Sequence, residues 1–296
     1  MPSHHELIEY TKYIANTAWA RFGLLSELIG KRIPCKGRPI LLLSMPRSGS
    51  SWTAKIISQS PDLLYLDEPV TQSVLKYGIT PARFHIKKGG HPPKVFEKIF
   101  DKSFRGIPSF EKKITDASDW SLLKRSNKRL FIKEVTPLLC HYYIDNYDPQ
   151  IILLLRHPAG IVSSFLSLWA KSDYKTYIFD VSVLQASATK AAFMNIKNTT
   201  DYIVIKYEEL CAAPVEMFKM VFNFLKLDWN NDVDKFLKNT MNPVESESNH
   251  NIFRDTQKIV YAWKNRLSIQ QLEQIKKVYF EYDLPWYRDE SEWQIE

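Results

Sequence analysis

The stretch from Leu41 to Trp52 constrains the fold more than any other part of the sequence. An apolar run ends abruptly at Pro46, and a cation, a glycine and three serines separate it from the helical spacing that follows from Thr53. This order of residues predicts a buried strand, a tight loop and the start of a helix. A loop of this kind directs several backbone N–H groups toward one point at the positive end of a helix dipole. The stretch therefore predicts an anion-binding site.

Apolar strands alternate with helical patterns along most of the chain. The continuous apolar run at 151–155 is typical of a strand that is buried on both faces of a parallel sheet. Strands are predicted at 39–44, 63–66, 129–133, 151–155 and 202–206. Helices are predicted at 50–59, 70–77, 137–146, 159–168, 180–199, 214–225, 257–266 and 269–280. The alternation predicts a three-layer α/β fold with a central parallel sheet flanked by helices.

The chain is predicted to form a single domain. Its 296 residues are near the upper limit for one hydrophobic core, and no repeat or linker divides it. Residues 1–38 are predicted to be an N-terminal helical extension. Rough helical spacing between residues 5 and 29 favours a helix packed on the core over a helix that binds a membrane surface. Residues 78–127 are predicted to be an irregular basic insertion and a lid on the substrate side.

Composition excludes several classes of protein. The three cysteines, Cys35, Cys140 and Cys211, form no CxxC motif or Cys/His cluster, so neither a zinc site nor a disulfide framework is indicated. No apolar run approaches the ~20 residues that a membrane-spanning helix needs, and no signal-peptide pattern opens the sequence. A cytoplasmic location is therefore expected.

Positive charge is concentrated downstream of the predicted anion loop. The net charge is +7, and the segment 83–133 contains 14 Lys or Arg against 5 Asp or Glu. A local positive field raises the capture rate of an anionic ligand, although a solvated lysine-rich surface explains the charge equally well. Nucleic acid is not an expected partner, because no nucleic-acid-binding motif occurs and aromatic residues are not interleaved with the basic ones.

The loop contains one glycine and lacks the GxxxxGK[ST] pattern of nucleotide P-loops. Residues 46–52 instead resemble the loop of sulfotransferases that use 3′-phosphoadenosine 5′-phosphosulfate (PAPS). The resemblance implies a P-loop NTPase-like sulfotransferase fold, PAPS as co-substrate, 3′-phosphoadenosine 5′-phosphate (PAP) as product, and no metal. It also implies that the 5′-phosphosulfate is held by Arg47, Ser48, Gly49, Ser50, Ser51 and Trp52. In this family Arg47 would offset the charge that develops on the leaving phosphate.

A second motif matches the same family. Arg156 follows the strand at 151–155, and Ser164 lies eight residues further along, with Ser163 as the alternative. In sulfotransferases an Arg and a Ser with this spacing bind the 3′-phosphate of the donor. A guanidinium group suits that role because its planar fork matches a terminal phosphate.

Two weaker matches to the family lie further along the chain. The resemblance places Tyr207 near the adenine, while a core tyrosine is an equally good interpretation. It also makes Arg254, with Lys258 beside it, a candidate for the 3′-phosphate, although the Arg-Lys-Gly triplet of cytosolic members is absent.

The catalytic lysine and the base are assigned through two branches of the family. Residues 131–137 resemble the Lys-Thr-His-x-Pro strand end of cytosolic sulfotransferases, and Lys133 matches their catalytic lysine. Val135 stands where those enzymes have a histidine base, so a histidine base is not expected here.

A glutamate is the predicted base. Residues 65–69 resemble the Tyr-Leu-x-Glu-Pro run of carbohydrate sulfotransferases, the group with the closest motif likeness, and Glu68 ends a short strand where α/β sheets place their chemistry. Glu134 is an alternative, although strand alternation directs it away from the face of Lys133. Asp67 is a third candidate.

These motifs together predict sulfuryl transfer from PAPS to a hydroxyl acceptor. A carbohydrate is favoured, and a lipid or a small alcohol stays open, as does the oligomeric state. A nucleoside or sugar kinase is a rival interpretation that the missing GK[ST] pattern disfavours. A catalytically silent nucleotide-binding protein is another, which Glu68 and Lys133 disfavour.

Overall fold

The computed structural model describes residues 11–12, 14–108, 117–169, 174–199, 201–241 and 259–295. Within these residues five parallel strands form one sheet in the order β2-β3-β1-β4-β5. The strands are β1 (Ile40–Ser44), β2 (Leu63–Asp67), β3 (Arg129–Glu134), β4 (Gln150–Leu155) and β5 (Tyr202–Lys206). All five predicted strands are present, and the predicted α/β fold class is confirmed.

Both faces of the central strand β1 are covered. Every residue of β1 is buried. Leu41 and Leu43 contribute to the core on one face of the sheet, and Ile40 and Leu42 contribute to the core on the other. Two-sided burial favours apolar residues at every position, which explains the continuous apolar run in the sequence.

The helices are α1 (Leu24–Arg32), α2 (Ser50–Ile57), α3 (Pro69–Lys76), α4 (Lys94–Phe104), α5 (Leu122–Arg125), α6 (Cys140–Tyr147), α7 (Pro158–Trp169), α8 (Tyr174–Ile196), α9 (Tyr207–Ala212), α10 (Pro214–Leu225), α11 (Asn231–Met241) and α12 (Ile269–Glu281). Helices α3, α4, α6, α7, α8 and α12 contribute to the core on the side of Leu41. Helices α2, α9, α10 and α11 contribute to the core on the side of Leu42. The sheet is therefore the middle of three layers, as predicted.

The segment 78–127 is more regular than the sequence suggested. It contains the eleven-residue helix α4, whose Phe96, Phe100 and Phe104 are buried on the sheet side. The prolines directly before the helix made the segment look irregular, whereas a proline immediately before a helix is compatible with its start. The prediction that the segment acts as a lid stays a prediction.

The N-terminal region also departs from the predicted packing. The single turn of 3-10 helix Ala18–Arg21 and helix α1 are separated by Gly23, whose φ of 50° lies in the left-handed region. Helix α1 buries only Ser26 and Gly30, so its leucines do not dock on the core. Among the described residues, no helix combines the length and the apolar character required to cross a membrane.

Candidate active site

The predicted anion loop lies between the end of β1 and the start of α2. Its backbone enters the left-handed region twice, with φ of 71° at Arg47 and 86° at Gly49. A Cβ atom on Gly49 would lie 2.3 Å from ring atoms of Tyr207, so only glycine fits at this position. The Ser48 hydroxyl is buried and makes no hydrogen bond within the described part of the chain. A buried hydroxyl in this condition is a candidate to bind an anion held by the loop.

The structure brings the two predicted donor-binding motifs into contact. Arg47 Nε donates a hydrogen bond of 2.9 Å to Ser164 Oγ, and Arg156 Nη1 donates one of 2.9 Å to the carbonyl oxygen of Arg47. The neighbouring Ser163 is buried, whereas Ser164 is partly exposed, which favours Ser164 over Ser163 as a ligand-facing residue. Arg156 therefore reaches the loop from a position 109 residues beyond Arg47 in the sequence.

Arg156 is positioned by contacts on several sides. Its guanidinium carbon lies 5.1 Å from the centre of the Tyr207 ring, and Nη2 donates to the carbonyl oxygen of Ile259 at 3.2 Å. Gly160 leaves room for it, because a Cβ atom there would be 3.0 Å from Arg156 Nε. Each Nη nitrogen carries two N–H groups, so one on each is left for a ligand.

Tyr207 and Trp52 have buried aromatic rings. Trp52 Nε1 donates to Thr240 Oγ1 at 3.1 Å, and its ring meets Tyr207 edge to face with the centroids 6.0 Å apart. Tyr207 is only 6% exposed, and its ring packs against Gly49. This burial favours the core interpretation of Tyr207 over direct contact with adenine. Arg254 and Lys258 lie outside the described residues.

Lys133 joins the anion loop to the predicted base. Lys133 Nζ donates to Ser51 Oγ at 3.1 Å and to Asp67 Oδ1 at 3.2 Å, and it forms a shorter ion pair with Glu68. The lysine is buried, and burial alone would lower its pKa; the nearby carboxylates of Glu68 and Asp67 outweigh burial and raise the pKa above its usual value. Lys133 is therefore a cation at neutral pH. Glu68 has a φ of 54°, a left-handed conformation that is uncommon outside functional sites and turns.

Glu134 has a different role from that of Glu68. Its carboxylate accepts hydrogen bonds from the backbone N–H groups of Val70 and Thr71, at 2.6 and 3.0 Å, and from the Thr71 hydroxyl at 2.7 Å. It thus caps the start of α3 on the face opposite Lys133, as strand alternation predicted. Complete burial raises the pKa of Glu134 to about 8, although these donors act in the other direction. Both oxygens of Glu134 are therefore engaged with the start of α3.

A buried polar network behind Arg156 was not predicted from the sequence. Glu208 accepts hydrogen bonds from the backbone N–H of His157 at 2.9 Å and from the Tyr287 hydroxyl at 2.7 Å. The His157 ring stacks on Trp263 at a centroid distance of 4.5 Å. Burial, reinforced by Arg156 and two lysines, lowers the pKa of His157 to about 3, so the ring is neutral. The only sequence signal was the adjacency of His157 to Arg156 and of Glu208 to Tyr207.

A metal centre has no candidate among the described residues, which contain no group of three or more His, Cys, Asp or Glu side chains placed to hold an ion. The polar groups that converge at the carboxyl ends of β1, β2, β3 and β4 are cations and hydroxyls, with the carboxylates of Asp67 and Glu68 beside them. Cations and hydroxyls in this arrangement suit an anionic ligand.

Strand β1 of the parallel sheet leads into the anion loop, and Arg156, which follows β4, contacts that loop. This is the P-loop-like α/β architecture. Residues 38–282 match the family described as the sulfotransferase domain. The chain therefore belongs to the sulfotransferase domain family, and the resemblance of its motifs to that family is confirmed.

The chain is similar to sulfotransferases from several organisms. Carbohydrate sulfotransferase 1 of Danio rerio is 22% identical, in an alignment that covers 77% of this chain and 72% of that protein. The crystal structure of mouse sulfotransferase SULT7A1 complexed with PAP is 17% identical in sequence and has a TM-score of 0.48. The match covers 93% of this chain and 92% of that chain. Sulfotransferase STF9 from Mycobacterium avium is 12% identical, with a TM-score of 0.49 and coverage of 93% and 83%.

Proposed function

We propose that the protein transfers the sulfuryl group of PAPS to a hydroxyl acceptor, with Glu68 as the base. Membership of the sulfotransferase family supports the reaction class. The observation that carries the proposal is the position of Lys133, which contacts Ser51 of the anion loop and Glu68 at once. Lys133 would then lie between a donor held by the loop and Glu68, the group that accepts the proton.

The residues of the loop suit the phosphosulfate end of the donor. Left-handed backbone at Arg47 and Gly49 makes a concave turn of the type that binds anions, and the Ser48 hydroxyl is a further group that such a ligand would satisfy. Arg156 and Ser164 supply N–H and O–H groups for the 3′-phosphate. PAPS as donor is thus supported by both anion-binding ends of the site.

In the proposed reaction the carboxylate and the two cations have separate tasks. Glu68 takes the proton of the acceptor hydroxyl while the acceptor oxygen bonds to sulfur and the bond from sulfur to the 5′-phosphate oxygen breaks. Lys133 and Arg47 stay protonated and offset the negative charge that develops on the departing oxygen. No proton needs to move to or from either cation.

A carbohydrate hydroxyl is the acceptor that we favour. The similar protein from Danio rerio is named a carbohydrate sulfotransferase, and the run Tyr65–Pro69 matches the pattern of that group. Incubation with radiolabelled PAPS and separate panels of glycans, lipids and small alcohols tests the assignment. Transfer confined to lipids or alcohols would contradict it.

Glu68→Gln tests the base. We expect turnover to fall by about 10²–10⁴-fold, the usual contribution of a general base, while the Kd for PAP is unchanged. Asp67→Asn is the matched control, since it also removes a carboxylate from Lys133, and its loss should be much smaller. Full activity of Glu68→Gln would remove Glu68 as the base.

Thermal stabilisation by ATP with Mg²⁺ instead of PAP would overturn the donor assignment.

A further inference from the structure

Exposed apolar side chains are concentrated around helix α1. Phe22, Leu24, Leu25 and Leu28 are 61%, 77%, 53% and 56% exposed, and we call this group the apolar N-terminal face. Single exposed apolar residues are normal on a protein surface, whereas a cluster of large ones within seven residues marks an interaction site.

The leucines point outward because the helix packs through Ser26, Ile29 and Gly30. Ser26 and Gly30 are buried, and a Cβ atom on Gly30 would lie 3.0 Å from the Ile107 side chain. The Ser26 hydroxyl donates to the carbonyl oxygen of Gly23 at 2.7 Å, which satisfies it within the contact. A rotation that buried the leucines would bring larger side chains to a position where the space beside Ile107 is tight even for a Cβ atom. The packing therefore fixes the apolar face toward the outside.

Basic residues surround the apolar N-terminal face. Arg21, Lys31, Arg32 and Lys36 are all exposed, and Glu27 is the single acidic residue in the sequence between positions 18 and 38. A short helix with a leucine-rich face and basic flanks has the composition of a segment that lies in the plane of a membrane interface. Basic side chains then meet the phosphates of anionic lipids. We infer that this face binds membrane surfaces that contain anionic lipids.

The proposed membrane-binding face is far from the anion loop. A cavity of about 180 Å³ beneath α1 is lined by Gly30, Cys35, Pro39 and Leu130. Pro39 and Leu130 lie at the amino ends of β1 and β3, while the anion loop follows the carboxyl end of β1. Binding through α1 would therefore leave the active site facing away from the bilayer and open to acceptors from the aqueous side.

Co-sedimentation of the full chain with vesicles tests the inference. We expect binding to vesicles of phosphatidylcholine mixed with phosphatidylserine, and much weaker binding to phosphatidylcholine alone. Leu24→Ser/Leu25→Ser/Leu28→Ser should weaken binding by at least about tenfold because it removes the inserted apolar surface. Lys31→Glu/Arg32→Glu should weaken it by a similar factor, and the effect should shrink at high salt.

A matched control replaces three exposed apolar residues elsewhere. Val95→Ser/Met220→Ser/Ile269→Ser changes side chains that are 39%, 39% and 72% exposed, and vesicle binding should stay within about twofold of the wild type. Equal loss in this control would overturn the proposal, as would failure of the wild type to bind anionic vesicles. If the wild type is a dimer and the triple leucine variant is a monomer, a second copy of the chain covers the face, and the proposal is overturned. If the melting temperature of the triple leucine variant is much lower than that of the wild type, the chain itself covers the face, and the proposal is again overturned.

Discussion

Lys133 is the residue on which the proposed chemistry depends. It is 2% exposed, and its ammonium group is shared among a hydroxyl of the anion loop and two carboxylates. A buried cation of this kind is tolerated only because its partners are within hydrogen-bonding distance. The arrangement sets Glu68 beside the loop before any substrate binds, which is the preorganisation that transfer chemistry requires.

Arg156→Ala tests the phosphate role of a single side chain. We expect the Kd for PAP to rise roughly 10–100-fold, the loss that follows removal of a charged hydrogen-bond partner. The Kd for adenosine 5′-monophosphate, which lacks the 3′-phosphate, should change little. Isothermal titration with both nucleotides provides the comparison. Equal weakening of the two, or none for either, would reject the assignment of Arg156 to the 3′-phosphate.

Glu134→Gln tests the pH dependence that a buried carboxyl imposes on stability. The folded-state pKa of about 8 lies above the ordinary value of 4.5, so the folded state binds more protons than the unfolded state in this window. Stability therefore falls as pH rises from about 4.5 to 8, by at most about 1.4 kcal/mol per pH unit from this group.

The glutamine variant cannot ionise and should show a flatter dependence of unfolding free energy on pH. Urea unfolding at several pH values between these limits measures the slope. Some loss of absolute stability is expected as well, because an amide offers only one acceptor oxygen to the Val70 and Thr71 donors. A slope equal to that of the wild type would show that Glu134 is ionised throughout the window.

Residues of the proposed ligand site were easier to predict than the residues that support them. Arg47 and Lys133 stand directly before or after apolar runs, where their charge is conspicuous. His157 and Glu208 support Arg156 through contacts with Tyr287 and Trp263, which lie far away in the sequence. Pairings over 51 and 79 residues leave no trace in local spacing.

Among the secondary-structure elements, the strands were easier to predict from the sequence than the packing of the surface helices. Strands β1 to β4 are almost entirely buried and β5 is half-buried, and their apolar runs stand out from their surroundings. Helical spacing between residues 5 and 29 predicted a helix packed on the core, whereas α1 packs closely against Ile107 at Gly30 and leaves its leucines exposed. Close contact at a small residue is a tertiary property that periodicity does not reveal.

Glu208→Gln tests how the elements behind the site are coupled. Glu208 lies at the start of α9 and holds the turn after β4, together with Tyr287 near the C-terminus. Loosening that turn should shift Arg156 and raise the Kd for PAP by roughly 3–10-fold, since one hydrogen bond contributes about 1 kcal/mol. The effect should disappear in an Arg156→Ala background, because both changes act through the same side chain.

Glu209→Gln is the matched control for this coupling. Glu209 is the adjacent residue with the same charge, and its carboxylate accepts from the backbone N–H of Lys206 at 3.3 Å at the start of its own helix. Its replacement should leave the Kd for PAP unchanged. Additive effects of Glu208→Gln and Arg156→Ala would show that Glu208 acts on folding in general and does not position Arg156.

Over the whole molecule, charge is distributed unevenly with respect to the site. The excess of basic residues at 83–133 begins at Arg83, and its neighbour Ala82 packs with Met45 of the anion loop. The start of the basic segment therefore lies near the anion loop. Arg83, Lys87 and Lys88 are exposed and able to act on ligands in solution. A field from these cations should speed the approach of an anionic substrate.

Arg83→Gln/Lys87→Gln/Lys88→Gln should lower kcat/KM and reduce its sensitivity to salt, because exposed charges act over about 10 Å at ordinary ionic strength. A loss of roughly 3–10-fold at low salt, which shrinks as salt is added, is expected from the removal of three steering charges. Varying the donor and the acceptor separately shows which of the two the segment attracts. Lys235→Gln/Lys238→Gln removes exposed charges from α11 and serves as the control. A parallel salt dependence in the wild type and the triple variant would show that the basic segment is a solvated surface with no part in substrate capture.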